Sequence, residues 1–505
     1  MPRMKIRNLL QALDQKEFFG SGDEEISSIT AHSGSAAAGS LFVAVPGAKA
    51  DGHDFLESAY RSGARAFVTS KPFEKTGAST IVVPDCREAL AALAAAFHSH
   101  PSQKIGLIGI TGTNGKTTTA FLLESVLKQA GLSTGVLSTI EYRFASCRQA
   151  ADRTTPDPTV TQNILRQMVD AGTDYAVMEI SSHGLKQKRV NGCHFNIGIF
   201  TNLTPEHLDY HKTMNDYFET KELLFSEVLA ASSKKRIAAV VNRDDPRHDR
   251  LVRRINYQTI GFGINSGDVR ADNISLSLEG ISADVVAGQT RFSITSPLLG
   301  AFNLYNILAA AAAALFLKIP PGTISAGIAG TAAVPGRMER IENTRGLLIF
   351  VDYAHTGDAL ENVLKTLTAA GASRIITVFG CGGDRDREKR PVMGAIAARH
   401  STVVILTSDN PRGERPEQII SEIEQGVRAG GLRRVPENHL TADGAGVYTV
   451  CPDRQSAIRS SITLARAGDV VLIAGKGHET FQQTGTEILH FDDREEVRKA
   501  LQMGA

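Results

Sequence analysis

Apolar residues along this chain come in short runs, and the runs alternate with longer stretches whose apolar positions recur at helical spacing. Residues 105–110 form one such run, followed by a glycine-rich turn and a helical pattern over 117–129 that Gly131 closes. That succession predicts a buried strand, a loop and a helix. The runs at 40–45, 66–69, 347–351, 374–379, 402–407 and 469–474 read as further buried strands, and 87–98 as an Ala-rich helix. Strand and helix alternating in this way predict an α/β fold with mostly parallel sheets.

At 505 residues the chain is too long for one core, so about three domains are expected. Pro101 and the pair Pro335-Gly336 punctuate the pattern. They separate a small α/β module, 1–100, from a central nucleotide-binding domain with a mostly parallel sheet, 101–336, and a Rossmann-like α/β domain, 337–505. The most apolar stretch, 307–317, is largely alanine and falls short of the roughly 20 residues a membrane span needs. It reads as a buried helix, and no membrane insertion is expected.

Composition removes several classes of function. Lys and Arg total 55 against 54 Asp and Glu, and the net charge of +1 gives no field to gather nucleic acid. Cys86, Cys147, Cys193, Cys381 and Cys451 lie far apart with no CxxC pair, which argues against a disulfide framework or a zinc site. Asp14, Lys16 and Glu17 interrupt the amino terminus before any apolar run reaches signal length, so a cytoplasmic location is expected.

Candidate chemistry begins at Gly112-Thr113-Asn114-Gly115-Lys116-Thr117-Thr118, between the expected strand and helix. Backbone N–H groups in such a loop cradle the phosphates of ATP, Lys116 would neutralise the terminal ones, and Thr117 can offer its hydroxyl to Mg²⁺. Ile110 stands where the first glycine of the full phosphate-loop pattern would be. A glycine-rich turn with a chance GKT is the plain alternative. Even a true ATP loop leaves the acceptor open, because kinases, transporters and ligases share it.

Further motifs follow in order: Glu179-Ile180-Ser181-Ser182-His183-Gly184, Thr201-Asn202-Leu203, His207-Leu208-Asp209-Tyr210-His211 and Asp352-Tyr353-Ala354-His355. With these the chain resembles the Mur ligases over nearly its whole length. The resemblance implies an ATP-dependent acid–amino-acid ligase of peptidoglycan synthesis, which activates a carboxylate as an acyl phosphate that an amino group then displaces. It implies Mg²⁺ held by Thr117, Glu179, His207 and Lys221, the last as a carbamate whose charge is inverted. Lys116, Lys221, Glu179 and His207 are then the catalytic residues, with Asn306, Arg337 and Asp352 around the adenosine. From the residues alone, Glu179 could cap a strand, His207 could be a loop histidine, Lys221 a solvated helix lysine, and Asn303 and Asn306 helix caps.

On the acceptor side the resemblance implies UDP-N-acetylmuramoyl-L-alanyl-D-glutamate, bound by Ser33, Thr154, Thr155, Ser181, Gln187 and Arg189, with Arg189 pairing a substrate carboxylate. Thr154 and Thr155 also read as turn hydroxyls before Pro156. Residues 37–44 resemble the family's uridine-binding module, but His32-Ser33-Gly34 stand where the family usually has Asp-Ser-Arg. Ser408-Asp409-Asn410-Pro411-Arg412 reproduces the DNPR signature of the branch that adds meso-2,6-diaminopimelate. Arg412 can grip the distal carboxylate of that amino acid while Asp409 and Asn410 receive its ammonium. Arg385, Pro411, Gly475 and Glu479 complete the implied pocket.

Lysine lacks the distal carboxylate and would leave a buried guanidinium unpaired, at roughly 2–5 kcal/mol. Without the family, the glycine-rich stretch 380–387 reads as a phosphate turn or a surface loop. A monomer is expected. The rival readings are the same ligation with L-lysine, a folylpolyglutamate-type ligase and, in a different class, an ATP-switched binding protein.

Overall fold

The computed structural model describes residues 3–47, 50–441 and 444–503. They form two compact units, one of Met1–Ala271, Val285–Phe292 and Tyr305–Gly327, the other of Asp272–Asp284, Ser293–Leu304 and Ile328–Ala505.

The first unit holds a five-stranded sheet in the order Glu17–Phe19, Ser79–Val82, Ala66–Thr69, Ser40–Val43, Ser28–Thr30, parallel except for its first pair. Ser40–Val43 and Ala66–Thr69 are buried at every position, because the sheet is covered on both faces. Asp85 caps the helix Cys86–Phe97 by accepting from the N–H groups of Arg87 and Glu88, and Leu90, Leu93 and Phe97 join the sheet's core.

A larger sheet includes, in the same unit, the parallel strands Thr134–Leu137, Tyr175–Glu179, Gly106–Thr111, Ile197–Phe200, Ala238–Asn242 and Gln258–Gly263, in that order. Their carboxyl ends share one edge, where ligand sites of such sheets form. Gly112, Glu179 and Thr201 all lie there. The alanine-rich run falls within the helix Ala301–Phe316, whose residues 309–314 are fully buried alanines. Among the described residues no helix is long and apolar enough to cross a membrane.

The second unit is built on a seven-stranded sheet. Glu339–Ile341 runs antiparallel at one edge, followed by the parallel strands Leu348–Asp352, Val470–Ala474, Ile375–Phe379, Val403–Leu406, Val447–Val450 and Arg433–Arg434. The strands expected from the sequence are all present, with ends displaced by a residue or two. Beneath the sheet's carboxyl edge lies a fully buried ion pair. Arg454 donates through Nε and Nη2 to the two carboxylate oxygens of Asp493, each at 2.7 Å, and through Nη2 and Nη1 to the carbonyls of Ala474 (3.0 Å) and Ser408 (3.3 Å).

Removing one partner of such a pair strands the other charge away from water. Arg454→Ala is therefore expected to lower stability by about 3–5 kcal/mol in urea unfolding, and the double replacement Arg454→Met with Asp493→Leu by much less. Equal losses would show that the pair's charges do not matter.

Candidate active site

The loop after the strand Gly106–Thr111 turns on two glycines with positive φ, Gly112 at 147° and Gly115 at 88°. A Cβ at Gly112 would collide with Thr201 Oγ1 and lie 3.1 Å from the backbone N and O of Asn202; one at Gly115 would collide with Asn306 Oδ1. The neighbouring strand thus braces the loop: Asn202 accepts from the Asn114 N–H through Oδ1 (3.0 Å) and from the Thr113 N–H through its carbonyl (2.9 Å). The helix Lys116–Gln129 follows, so its amino end faces the loop. Lys116 Nζ donates to the carbonyls of Gly112 and Thr113 at 2.9 and 2.8 Å. Asn306 packs on this helix start, with Oδ1 3.4 Å from Thr119 Oγ1.

Glu179 ends its strand fully buried. Its Oε2 accepts from the hydroxyls of Thr117 and Thr139, both at 3.0 Å, and its Oε1 accepts from the Thr139 N–H at 3.1 Å. Thr139 also lies 3.1 Å from Thr154 Oγ1, which links the phosphate loop to the expected acceptor residues.

Lys221 lies in the helix Met214–Leu223, immediately before a π-helical stretch, Leu224–Leu229, of the kind often found at functional sites. It is 1% exposed, donates to the Gly112 carbonyl at 2.8 Å and sits 4.5 Å over the Tyr217 ring. Burial, reinforced by the charge of Lys116, pushes its amine well below the ordinary lysine range. His207 adopts φ 56°, with its ring 5.1 Å from that of His183, and burial lowers it as well. His183 stacks on Tyr210 at 4.1 Å and is depressed to about 4, first by burial and then by His207 and His211.

Among the described residues no three His, Cys, Asp or Glu converge on a metal position. Thr117 and Glu179 supply the hard oxygen donors that suit Mg²⁺, and His207 a neutral imidazole, whereas a lysine amine is a poor ligand for that ion. A buried, neutral amine at Lys221 can add CO₂, forming an N–C bond and releasing a proton, which would turn it into a third oxygen ligand. With that modification the donor set fits Mg²⁺.

The expected acceptor residues meet at the carboxyl end of the Glu179 strand. Thr155, fully buried, donates to the Glu179 carbonyl at 3.0 Å and accepts from the Ser181 N–H at 2.9 Å, and Ser181 caps the short helix Ser182–Lys186. Arg189 donates to the Thr155 carbonyl and to Gln187 Oε1, both at 2.7 Å, and lies 3.2 Å from Asp157. Ser33 begins a separate short turn, Ser33–Ser35. His32 reaches within 3.9 Å of Asp157, and a Cβ at Gly34 would meet nothing within 4 Å. A side chain can therefore leave the backbone at Gly34 without a clash at its first carbon.

In the second unit Arg337 lies over the Tyr353 ring at 4.8 Å. Asp352 accepts from the N–H groups of Met338 (2.6 Å) and Ala354 (2.8 Å), so its carboxylate also fixes the turn that carries Arg337. At the ends of three adjacent strands sits a second cluster. Asn410, 2% exposed, donates to Glu479 Oε2 at 2.9 Å and accepts at Oδ1 from Lys476 Nζ (3.1 Å) and the Gln483 N–H (3.0 Å). Its amide oxygen is thus engaged twice and its amide nitrogen once, which fixes the orientation of the side chain in this cluster.

Arg412, at φ 50°, donates to the Gly383 carbonyl at 2.9 Å. A Cβ at Gly382 would lie 2.8 Å from Arg412 Nη1 and 3.8 Å from Cγ of the exposed Arg385, so both arginines pass this glycine. Pro411 is buried, and its carbonyl faces Gly383 too closely for any Cβ there. Gly475 is equally constrained, with a Cβ position 2.7 Å from Asp409 Oδ2. Sequence reading overlooked Thr139, Asp157, His183 and Lys476. Thr139 and Asp157 carry no motif, whereas His183 lies inside a quoted motif and Lys476 beside Gly475, and both become conspicuous only through burial and contacts.

Three family models match: the Mur ligase family, catalytic domain, over 25–98; the Mur ligase middle domain, over 110–314; and the Mur ligase, glutamate ligase domain, over 336–477. The chain is 48% identical over 501 residues, covering 98% of each chain, to the UDP-N-acetylmuramoyl-L-alanyl-D-glutamate--2,6-diaminopimelate ligase of Geobacter metallireducens. It is 41% identical, over 99% of each, to the protein of that name from Geobacillus thermodenitrificans. A solved structure of a ligase of the same name matches with a TM-score of 0.71 and 32% identity over 99% of both chains. A MurF ligase from Thermotoga maritima, solved in complex with ADP, shares the fold at 20% identity and a TM-score of 0.62, over 94% of this chain and 97% of that one.

The close approach at Gly112 generates a sharp expectation. Gly112→Ala should abolish ATP binding in titration calorimetry, because the loop must shift away from Thr201 and Asn202. Gly131→Ala, also at positive φ but with nothing within 4 Å, should bind ATP normally and lose only about 1–2 kcal/mol of stability. Normal ATP affinity in Gly112→Ala would mean that this loop does not hold the phosphates.

Proposed function

The chain belongs to the Mur ligase family, and on that premise we propose that it is the ATP-dependent ligase that joins meso-2,6-diaminopimelate to UDP-N-acetylmuramoyl-L-alanyl-D-glutamate, a step of peptidoglycan precursor synthesis. The observation that carries the choice of amino acid is the cluster of Asp409, Asn410, Lys476 and Glu479 beside Arg412 and Arg385, which offers both charges an amino acid head needs. The reading assigns the nucleotide sugar to residues 1–100, ATP to 101–336 and the amino acid to 337–505. The enzyme acts as a monomer in the cytoplasm.

In the reaction a carboxylate oxygen of the D-glutamate attacks the terminal phosphorus of ATP, ADP leaves, and an acyl phosphate forms. The amine of diaminopimelate then attacks the acyl carbon, the C–N bond forms as phosphate departs, and the amine loses a proton. The amides of 112–118 hold the phosphates, Lys116 neutralises the terminal one, and Asn306, Arg337 and Asp352 border the adenosine. Thr154, Thr155, Ser181, Gln187 and Arg189 orient the dipeptide end, with Ser33 at the uridine end. Thr117, Glu179, His207 and carbamylated Lys221 would hold Mg²⁺, which when bound offsets charge between carboxylate and phosphate. Arg412 and Arg385 take the distal carboxylate, while Asp409 and Glu479 take the ammonium beside it.

Phosphate release with the UDP-dipeptide should require diaminopimelate and be at background with L-lysine, with the tripeptide product identified by mass spectrometry. Turnover with lysine instead would keep the ligase and discard the role of Arg412. ATP hydrolysis without a joined product would favour a nucleotide-switched binding protein. Lys221→Ala should lose amide formation and regain part of it when small carboxylic acids are added. An unimpaired variant would rule out the carbamate.

A further inference from the structure

Lys476 is fully buried, which is rare for a lysine unless paired. The backbone delivers it there by a special device. Gly475 and Gly477 on either side have φ of 114° and 53°, and a Cβ at Gly477 would lie 2.6 Å from Tyr353 Cβ and 2.8 Å from the Gly336 carbonyl. The chain between two left-handed glycines thus passes close to its neighbours and turns the intervening side chain inward. Its Nζ then stands 3.1 Å from Asn410 Oδ1, 3.4 Å from Glu479 Oε2, 3.8 Å from Asp409 Oδ1 and 5.5 Å from the Phe481 ring centre.

We infer that Lys476 is a positioning residue for the amino-acid pocket: it holds Asn410, Glu479 and Asp409 as one set and sets the charge with which that set meets the incoming amino acid. The inference rests on the reading of this cluster as the diaminopimelate site and deepens it.

Two carboxylates and one ammonium leave a single negative charge, the complement of one substrate ammonium. Arg454, whose charge also acts on Asp409 and Glu479, is paired with both oxygens of the buried Asp493, so the two together add no net charge to that count. The same ammonium orients the Asn410 amide. With Oδ1 accepting from Lys476 and the Gln483 N–H, Nδ2 is left to donate to Glu479. Burial raises the Glu479 carboxyl, and Lys476 is the principal charge that opposes it. Without the lysine, Glu479 keeps the burial and the Asp409 charge that raise its carboxyl and loses the cation that opposes them, so it is driven toward protonation and loses an orienting contact.

The test compares Lys476→Met and Lys476→Gln with the parent enzyme, once the parent has been shown to use diaminopimelate; if it does not, the reading of the pocket fails and not this inference. The expected result is a KM for diaminopimelate raised about tenfold or more in both variants. The KM values for ATP and for the UDP-dipeptide should remain close to the parent's, while the melting temperature falls because Glu479 and Asp409 lose the buried cation between them. Because Lys476 acts through Glu479, its replacement should add little in a Glu479→Gln background. A folded Lys476→Gln with an unchanged diaminopimelate KM would overturn the proposal. So would effects that simply multiply with those of Glu479→Gln, or a uniform rise in all three KM values, which marks an internal support only.

Discussion

Parallel strands end on the same side of a sheet, and both candidate sites of this protein depend on that constraint. In the first unit the edge collects the loop after Thr111, the carboxylate of Glu179, Thr139 after the strand Thr134–Leu137, and Thr201 and Asn202 after Ile197–Phe200. In the second it collects Asp352, Gly380, Asp409 and Gly475. Residues far apart in sequence thus become neighbours through register alone. The glycines at 112, 382, 383 and 475 permit the close approach, since a Cβ at any of them would press on a facing side chain or carbonyl.

Four buried cations show how differently one type of charge can be used. Arg454 is matched by Asp493 and holds the Ser408 and Ala474 carbonyls on which the amino-acid pocket is hung. Arg390, fully buried, binds Glu414 and Glu422 and holds Glu414 down to about 2; Glu414 in turn accepts from the Asp384 N–H at 2.6 Å. That chain of contacts fastens the 380–387 loop to the segment carrying Arg412. Lys476 shares its charge between two carboxylates. Lys221 differs from all three: among the described residues it has no carboxylate at ion-pair distance, and burial and the field of Lys116 outweigh the opposing charge of Glu206. An amine so placed is most stable uncharged, the form in which it can react with CO₂.

The pocket around Asn410 gives selectivity a physical basis. Its amide is held by Glu479, Lys476 and the Gln483 N–H, and the exposed Arg385 and half-buried Arg412 supply positive charge nearby. On the proposed reading, an oriented anionic corner beside two guanidinium groups favours a ligand with both an ammonium and a distal carboxylate. Removing that carboxylate leaves the arginine side of the pocket without its partner.

By itself the sequence determined the α/β class, the seven buried strands named at the outset to within a residue or two, and the family through motifs whose order survives in one dimension. Hydrophobic runs and glycine-rich turns are local signals, and DNPR and GTNGKTT are contiguous, so no folding was needed to read them. Only the tertiary structure decided which polar residues lose contact with water. Thr139 carries no motif and matters because a parallel neighbour brings it to Glu179. Lys476 and Lys221 look like any lysine until packing removes their water. At Gly34, likewise, only the fold shows that a Cβ would meet nothing within 4 Å. Burial and cross-strand register are properties of distant segments meeting, and those meetings set the charges on which the proposed chemistry depends.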